Sequence, residues 1–126
     1  MEGGYFFFVI PITPKIRPQV QARHIEGTPQ FEEYKAHRLA KGQPPQSILT
    51  VTMEEAQEIV DRYKCTGTVV IQTHKSGGVK IREFTDSDKI IGRYYKDNSY
   101  KETKRLGIYY SKNGTHIVPV EQKETK

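Results

Sequence analysis

Two histidines carry the chemistry that this sequence could perform. His24 lies in the string ARHIEGT ahead of the first helix, and His116 follows an Asn113-Gly114 dipeptide near the end. An imidazole with a reference pKa of about 6.5 can give or take a proton near neutral pH. Cleavage of RNA without a metal needs a base for the 2′-OH proton and an acid for the leaving 5′-oxygen. It also needs a cation or donor for the charged phosphorane. The sequence holds these parts, with lysine and arginine suited to the phosphate. A lone histidine on a strand is more often structural or simply exposed, and that is the competing reading of His116.

Other reactive groups offer less. His37 falls mid-helix beside Arg38 and faces solvent, and His74 sits in a turn next to Lys75 as polar surface. No H-x-x-x-H pair and no aspartate cluster is present; Asp86 and Asp88 flank Ser87 as a turn. The P-loop, dinucleotide and nucleophile-elbow motifs are missing too. The single cysteine, Cys65, excludes an internal disulfide and reads as buried filler. The reading calls for no metal and no cofactor.

Charge is unevenly placed. Residues 1–74 carry eight Lys/Arg and eight Asp/Glu, whereas residues 75–112 carry ten bases and five acids, so the net +5 sits in that stretch. Five of the eight tyrosines share it. Bases interleaved with aromatics suit a polyanion whose bases stack, which is nucleic acid; a solvated sheet face with lysines guarding its edges is the plainer alternative. Lys89, Arg105, Lys112 and Arg82 are the candidate phosphate-binding cations, with Tyr109 beside them.

The 126 residues amount to one domain. The longest apolar run, YFFFVI at residues 5–10, is far short of the ~20 residues of a membrane span. Glu2 stands where a signal peptide would be basic. YFFFVI reads as a buried strand or a leftover of a longer protein. Residues 11–18, with three prolines, read as extended and unpaired, so residues 1–18 are expected to be a linker, 19–120 the folded unit and 121–126 a polar tail.

The elements follow from local signals. Thr28 and Pro29 predict a helix start and Gly42 its end. Thr52-x-x-Glu55 is a capping box for a second helix, whose Met53, Ala56, Ile59, Val60 and Tyr63 share one stripe. After Gly67 the chain predicts strands at 68–73, 79–85, 89–95, 103–111 and 115–120, with 96–100 a loop. Helices followed by strands imply an α+β fold: two N-terminal helices packed on one face of a twisted antiparallel sheet of four to five strands. Asn113-Gly114 predicts a two-residue type I′ turn, which sets Ser111 opposite His116 and Tyr110 opposite Ile117. Tyr109, Ser111, His116 and Val118 then share one face; Leu106, Ile108, Tyr110 and Ile117 share the other.

The strings ARHIEGT, LTVTMEEAQEIVDRY, DKIIG and IYYSKNGTHIVP, in that order, resemble the polymorphic toxin type 50 domain over about residues 19–120. The resemblance implies a small bacterial ribonuclease toxin of the barnase/EndoU/colicin/RelE-like group, with helices ahead of a four-stranded antiparallel sheet. It puts the family's polar motif positions on His24, Glu26, Thr28, Ser111, Lys112, Thr115 and His116. It also implies a module of a larger delivery protein, secreted or presented at a cell surface and acting in the target-cell cytoplasm. The implied partners are an RNA substrate, tRNA among the candidates, and a cognate immunity protein, with no membrane partner and a monomeric domain. His24 and His116 are the expected acid/base pair, with Ser111 and Thr115 orienting substrate or His116. The alternative is a non-catalytic nucleic-acid-binding or structural module of a phage head protein.

Overall fold

The fold is described by a computed structural model over residues 12–73, 75 and 77–122. The YFFFVI segment, His74 and the end of the polar tail lie outside the described residues.

Three helices precede most of the strands: α1 (Pro18–Gln21), α2 (Pro29–Ala40) and α3 (Met53–Tyr63). A 3-10 turn, Ala22–His24, joins α1 to the segment before α2. Pro29 opens α2 and the Thr28 hydroxyl accepts from the Phe31 amide, while Gly42 takes a positive φ of 74° just past its end. The capping box of α3 is complete: Thr52 Oγ1 accepts from the Glu55 amide and the Glu55 carboxylate from the Thr52 amide. Ala56, Ile59 and Val60 of α3 enter one core cluster with Ile81, Leu106, Ile108, Tyr110 and Ile117. Helix α2 packs chiefly on the 3-10 turn; its Leu39 stays outside, 51% exposed.

The fold is α+β, but the strands form two antiparallel sheets rather than the one expected. Strands β2 (Thr68–Thr73), β3 (Val79–Asp86), β6 (Arg105–Tyr110) and β7 (His116–Pro119) make a four-stranded sheet in the order β2-β3-β6-β7. Strands β1 (Ile48–Leu49), β4 (Gly92–Lys96) and β5 (Ser99–Thr103) make the other, in the order β1-β4-β5. Residues 96–100, read from sequence as a loop, are the centre of a hairpin. Asp97 and Asn98 have φ of 54° and 65°, and Lys96 pairs with Ser99. That is a two-residue turn with positive φ at both central positions, the type I′ signature.

The expected type I′ turn at Asn113-Gly114 does not form. Tyr109 pairs with His116 and Ile108 with Ile117, so Ser111 does not face His116. The reason is tertiary. Residues 13–17 dock on this loop: Thr13 N donates to Ser111 O, Thr115 N to Lys15 O and Arg17 N to Thr115 O. Ile16, 7% exposed, forms a parallel bridge with Thr115. The backbone of residues 13–17 is thus paired with the domain, against the expectation of an unpaired segment. The register moved by two residues, which leaves every side chain on its expected face. Tyr109, His116 and Val118 share the face away from the core, and Leu106, Ile108 and Ile117 are buried on the other.

Candidate functional site

The outer face of the four-stranded sheet assembles a row across three strands. Arg82 on β3 pairs with Tyr109 on β6, which pairs with His116 on β7. The Arg82 guanidinium lies 4.9 Å from the Tyr109 ring centre, and the Tyr109 and His116 ring centres are 5.2 Å apart. Gly107 keeps the row compact, because a Cβ there would meet Tyr109 at 2.7 Å and Phe84 at 3.0 Å.

The row does not end at the sheet edge. His24, delivered by the 3-10 turn, lies beside His116 with ring centres 6.0 Å apart and planes only 18° from parallel. Gln21 makes this meeting. Its side-chain amide, fully buried, donates to Ile117 O at 2.9 Å and accepts from Ile117 N at 2.7 Å. One glutamine thus imitates a neighbouring strand on the free edge of β7, one residue from His116 and three from His24. Thr28 ties down the same turn, donating to the carbonyls of Ala22 and Ile25 at 2.8 and 2.9 Å.

The two imidazoles differ in their surroundings. His24 is 6% exposed. Its Nδ1 lies 2.9 Å from the Ser47 carbonyl, so the neutral ring carries its proton there and leaves Nε2 for chemistry. Burial lowers its pKa, the Ser47 carbonyl opposes that, and Arg38 and Arg23 lower it further. Among the described residues no hydrogen bond holds the His116 ring. Burial, then His24, then Arg23 push it down to about 4. Both rings are therefore neutral at pH 7 in the free protein.

Cations flank the row in a cleft of about 450 Å³, where Arg17, Arg23, Lys80 and Arg82 stand around Tyr34, Tyr109 and His116. Among the described residues none of the four forms an ion pair, and Arg82 Nε is buried without a hydrogen-bond partner. An unpaired buried donor costs about 1–3 kcal/mol, more for a charged group, unless something supplies an oxygen. The Tyr109 phenol has a raised pKa, mainly through burial, and remains a proton donor across the physiological range.

The other expected residues fall elsewhere or serve the scaffold. Lys89 pairs with Glu55 at 3.4 Å and Arg105 with Asp86 at 3.2 Å, and neither lines the cleft. Lys112 is exposed outside it, receiving the Thr13 hydroxyl on its carbonyl at 2.7 Å. Ser111 borders the cleft, but its hydroxyl donates to Gly114 O at 2.7 Å. Thr115 is fully buried and donates to Thr13 O at 2.6 Å. These hydroxyls bind the loop to residues 13–17 instead of orienting His116. Glu26 forms an exposed pair with Arg93 at 3.6 Å. Cys65 is exposed, not buried filler, and turns the chain after α3 with φ of 67°. Arg17, Arg23, Tyr34 and Lys80 were not foreseen as site residues. For Tyr34 the signal was one of packing, since a residue three positions after Phe31 shares its helix face. For the arginines there was none, since they come from the half of the chain whose charges cancel.

Among the described residues no three His, Cys, Asp or Glu side chains gather as a metal site would require. No curated protein and no solved structure is detectably similar to the chain. One comparison is informative: the Bacterial toxin 50 family matches residues 16–119, which takes in the last two residues of the docked segment before α1, both histidines and the last strand. With that match spanning most of its length, the chain belongs to the Bacterial toxin 50 family.

Proposed function

We propose that this toxin domain is a metal-independent endoribonuclease. The observation that carries the reading is the continuous row Arg82, Tyr109, His116, His24, in which two neutral imidazoles adjoin an arginine whose buried Nε has no hydrogen-bond partner among the described residues. Ring centres 6.0 Å apart let both act on one phosphodiester.

The environments divide the roles. His116, held at the lower pKa, is the general base that removes the 2′-OH proton. The 2′-oxygen attacks phosphorus, and the phosphorane gathers charge that Arg82 and the Tyr109 phenol stabilise. His24 acts in its protonated minority form, which burial disfavours and the Ser47 carbonyl partly supports, and gives its Nε2 proton to the 5′-oxygen as the P–O5′ bond breaks. The products are a 2′,3′-cyclic phosphate and a free 5′-hydroxyl. Ser111 and Thr115 remain parts of the loop scaffold in this mechanism, and Lys89, Arg105 and Lys112 lie outside it.

The family supports a delivered effector; its action in the cytoplasm of a target bacterium, and its restraint at home by a cognate immunity protein, are further parts of this proposal. An acidic surface on that partner would complement the cleft cations. The deciding experiment incubates purified protein with total RNA in EDTA. Cleavage leaving 2′,3′-cyclic phosphate ends, and lost in His116→Ala, is the expected result. Intact RNA at high protein concentration, or undiminished cleavage by the variant, overturns the reading in favour of a nucleic-acid-binding module.

A further inference from the structure

A second hollow adjoins the histidine pair beside the cationic cleft. It holds about 260 Å³ and is walled by Tyr34, Tyr94, Tyr95, Tyr109, Pro44 and Pro45. His116 borders both this hollow and the cationic cleft, whereas His24 borders the hollow alone. Tyr34 and Tyr109 border both as well, so a phosphate held at the shared wall would have the cleft cations on one side and Tyr94 and Tyr95 on the other. Below the roughly 300–1,000 Å³ of drug-sized sites, the hollow suits one ring system.

Its wall is held in place before any ligand arrives. Tyr95 meets Tyr100 edge-on at 5.1 Å, and the Tyr100 hydroxyl donates to the Gln46 carbonyl at 3.0 Å. Gln46, 2% exposed, anchors its loop by donating to Arg23 O and Phe31 O. The next carbonyl, Ser47 O, holds His24. One short loop thus fixes both the aromatic wall and the proton donor. The hollow's own cation, Arg38, is already engaged, with Nε donating to Pro44 O and its guanidinium 5.8 Å from the Tyr34 ring centre. A wall made chiefly of aromatic faces favours stacking on a base.

We propose that this hollow is a stacking subsite for the nucleobase on the 3′ side of the cleaved bond, with Tyr95 as its principal ring. The placement rests on the ribonuclease reading: the acid that protonates the departing 5′-oxygen is His24, and His24 faces the hollow only. Stacking tolerates every base, so the presence of a base matters more than its identity.

The test uses DNA oligonucleotides carrying one ribonucleotide, with an abasic sugar placed directly 3′ or directly 5′ of the cleavable phosphate. Removing the 3′ base should lower kcat/KM tenfold or more. Tyr95→Ala should cost a similar factor on the intact substrate and little more on the 3′-abasic one, while Tyr95→Phe keeps the gap between the two substrates. On the 5′-abasic substrate the Tyr95→Ala loss should appear in full. An equal Tyr95→Ala loss on intact and 3′-abasic substrates, or a loss that vanishes only with the 5′ base, overturns the proposal. Adenosine binding separates this idea from the catalytic one. Shifts of the Tyr95 ring signals in NMR with millimolar adenosine support the hollow even if the protein cleaves no RNA; no shifts overturn it even if RNA is cut.

Discussion

Glu83 and Arg82 are neighbours on β3, yet the sheet treats them in opposite ways. Glu83 points to the core face with no exposure, and its carboxylate accepts from Cys65 N at 2.8 Å, Gly67 N at 2.6 Å and the Tyr110 hydroxyl at 2.6 Å. Each of these donors is fixed, so the charge joins the end of α3 and the start of β2 to the sheet. The Tyr110 pKa is raised by burial and by this carboxylate, so the phenol stays a donor. Arg82, on the other face, keeps an unpaired buried Nε and leads to two histidines whose protonation burial opposes. A buried charge with complete partners holds the fold together, whereas polar groups left incomplete mark where a ligand is to supply the remainder.

The comparison breaks if substitutions on the two faces give the same phenotype. His116→Ala should lower RNA cleavage by about 10²–10⁴-fold, the usual range for a general acid or base, with the melting temperature at pH 7 essentially kept. Glu83→Leu should do the reverse, costing about 3 kcal/mol or more, since one buried and two part-buried donors lose their acceptor at about 1–3 kcal/mol each. Urea denaturation beside a cleavage assay reads both quantities on the same samples. A His116→Ala protein that unfolds like Glu83→Leu would assign the histidine to the scaffold.

Acid sharpens the same contrast. A histidine with a depressed folded pKa binds its proton more readily when unfolded, so stability is complete above about pH 6.5 and declines as pH falls toward 4. For His116 the loss approaches about 3 kcal/mol at pH 4, from a shift of about 2.5 units at 1.36 kcal/mol each. His116→Phe should flatten that part of the stability profile, measured by urea titration from pH 7 to 4. The same values place the acid limb of kcat/KM near 4 and its alkaline limb below 6.5.

Gln21 links the two behaviours, being a fully satisfied buried group whose work is to bring the histidines together. Gln21→Ala removes both bonds to Ile117 and should cost about 1–3 kcal/mol. Cleavage should fall more than stability at 25 °C explains, because a displacement of His24 by about 1 Å is enough for a 10²-fold loss. A folded Gln21→Ala protein with full kcat would show that the imidazoles find each other without it.

The sequence was legible where structure is local. Thr28-Pro29 and the Thr52/Glu55 box mark their helix starts because a cap is decided within four residues. The faces of β6 and β7 followed from alternation, which survives a register shift of two. What failed was decided at long range. Asn113-Gly114 is a better type I′ dipeptide than Asp97-Asn98, yet the turn forms at the weaker one. Residues 13–17 occupy the hydrogen bonds of the 111–115 loop, while among the described residues no other backbone segment bonds to the turn of the β4–β5 hairpin. Charge failed in the same way. The basic excess of residues 75–112 contributes Lys80 and Arg82 to the cleft, but Arg17 and Arg23 come from a stretch that sums to zero. Proximity of cations in space is not read from their density along the chain.

That last point yields the smallest effect and a clean discriminator. Lys89 and Arg105 belong to the basic stretch, but each already faces a carboxylate at the surface. The exposed Lys89–Glu55 pair is worth about 0–1 kcal/mol, so Lys89→Ala should leave stability within about 1 kcal/mol. Arg105→Ala, removing a side chain only 14% exposed, should cost more through lost packing. Neither lines the cleft, so cleavage by each should stay within about twofold of the parent, a change under 0.5 kcal/mol in barrier terms. Arg82→Ala, removing a cation of the same charge from the row beside His116, should lower cleavage at least tenfold in the same assay. If substrate were gathered by the summed field of the basic stretch, all three would lose activity alike and added salt would erase their differences. If it is held at the row, only Arg82→Ala falls, and the gap persists at high salt because a buried contact is screened far less than a surface one.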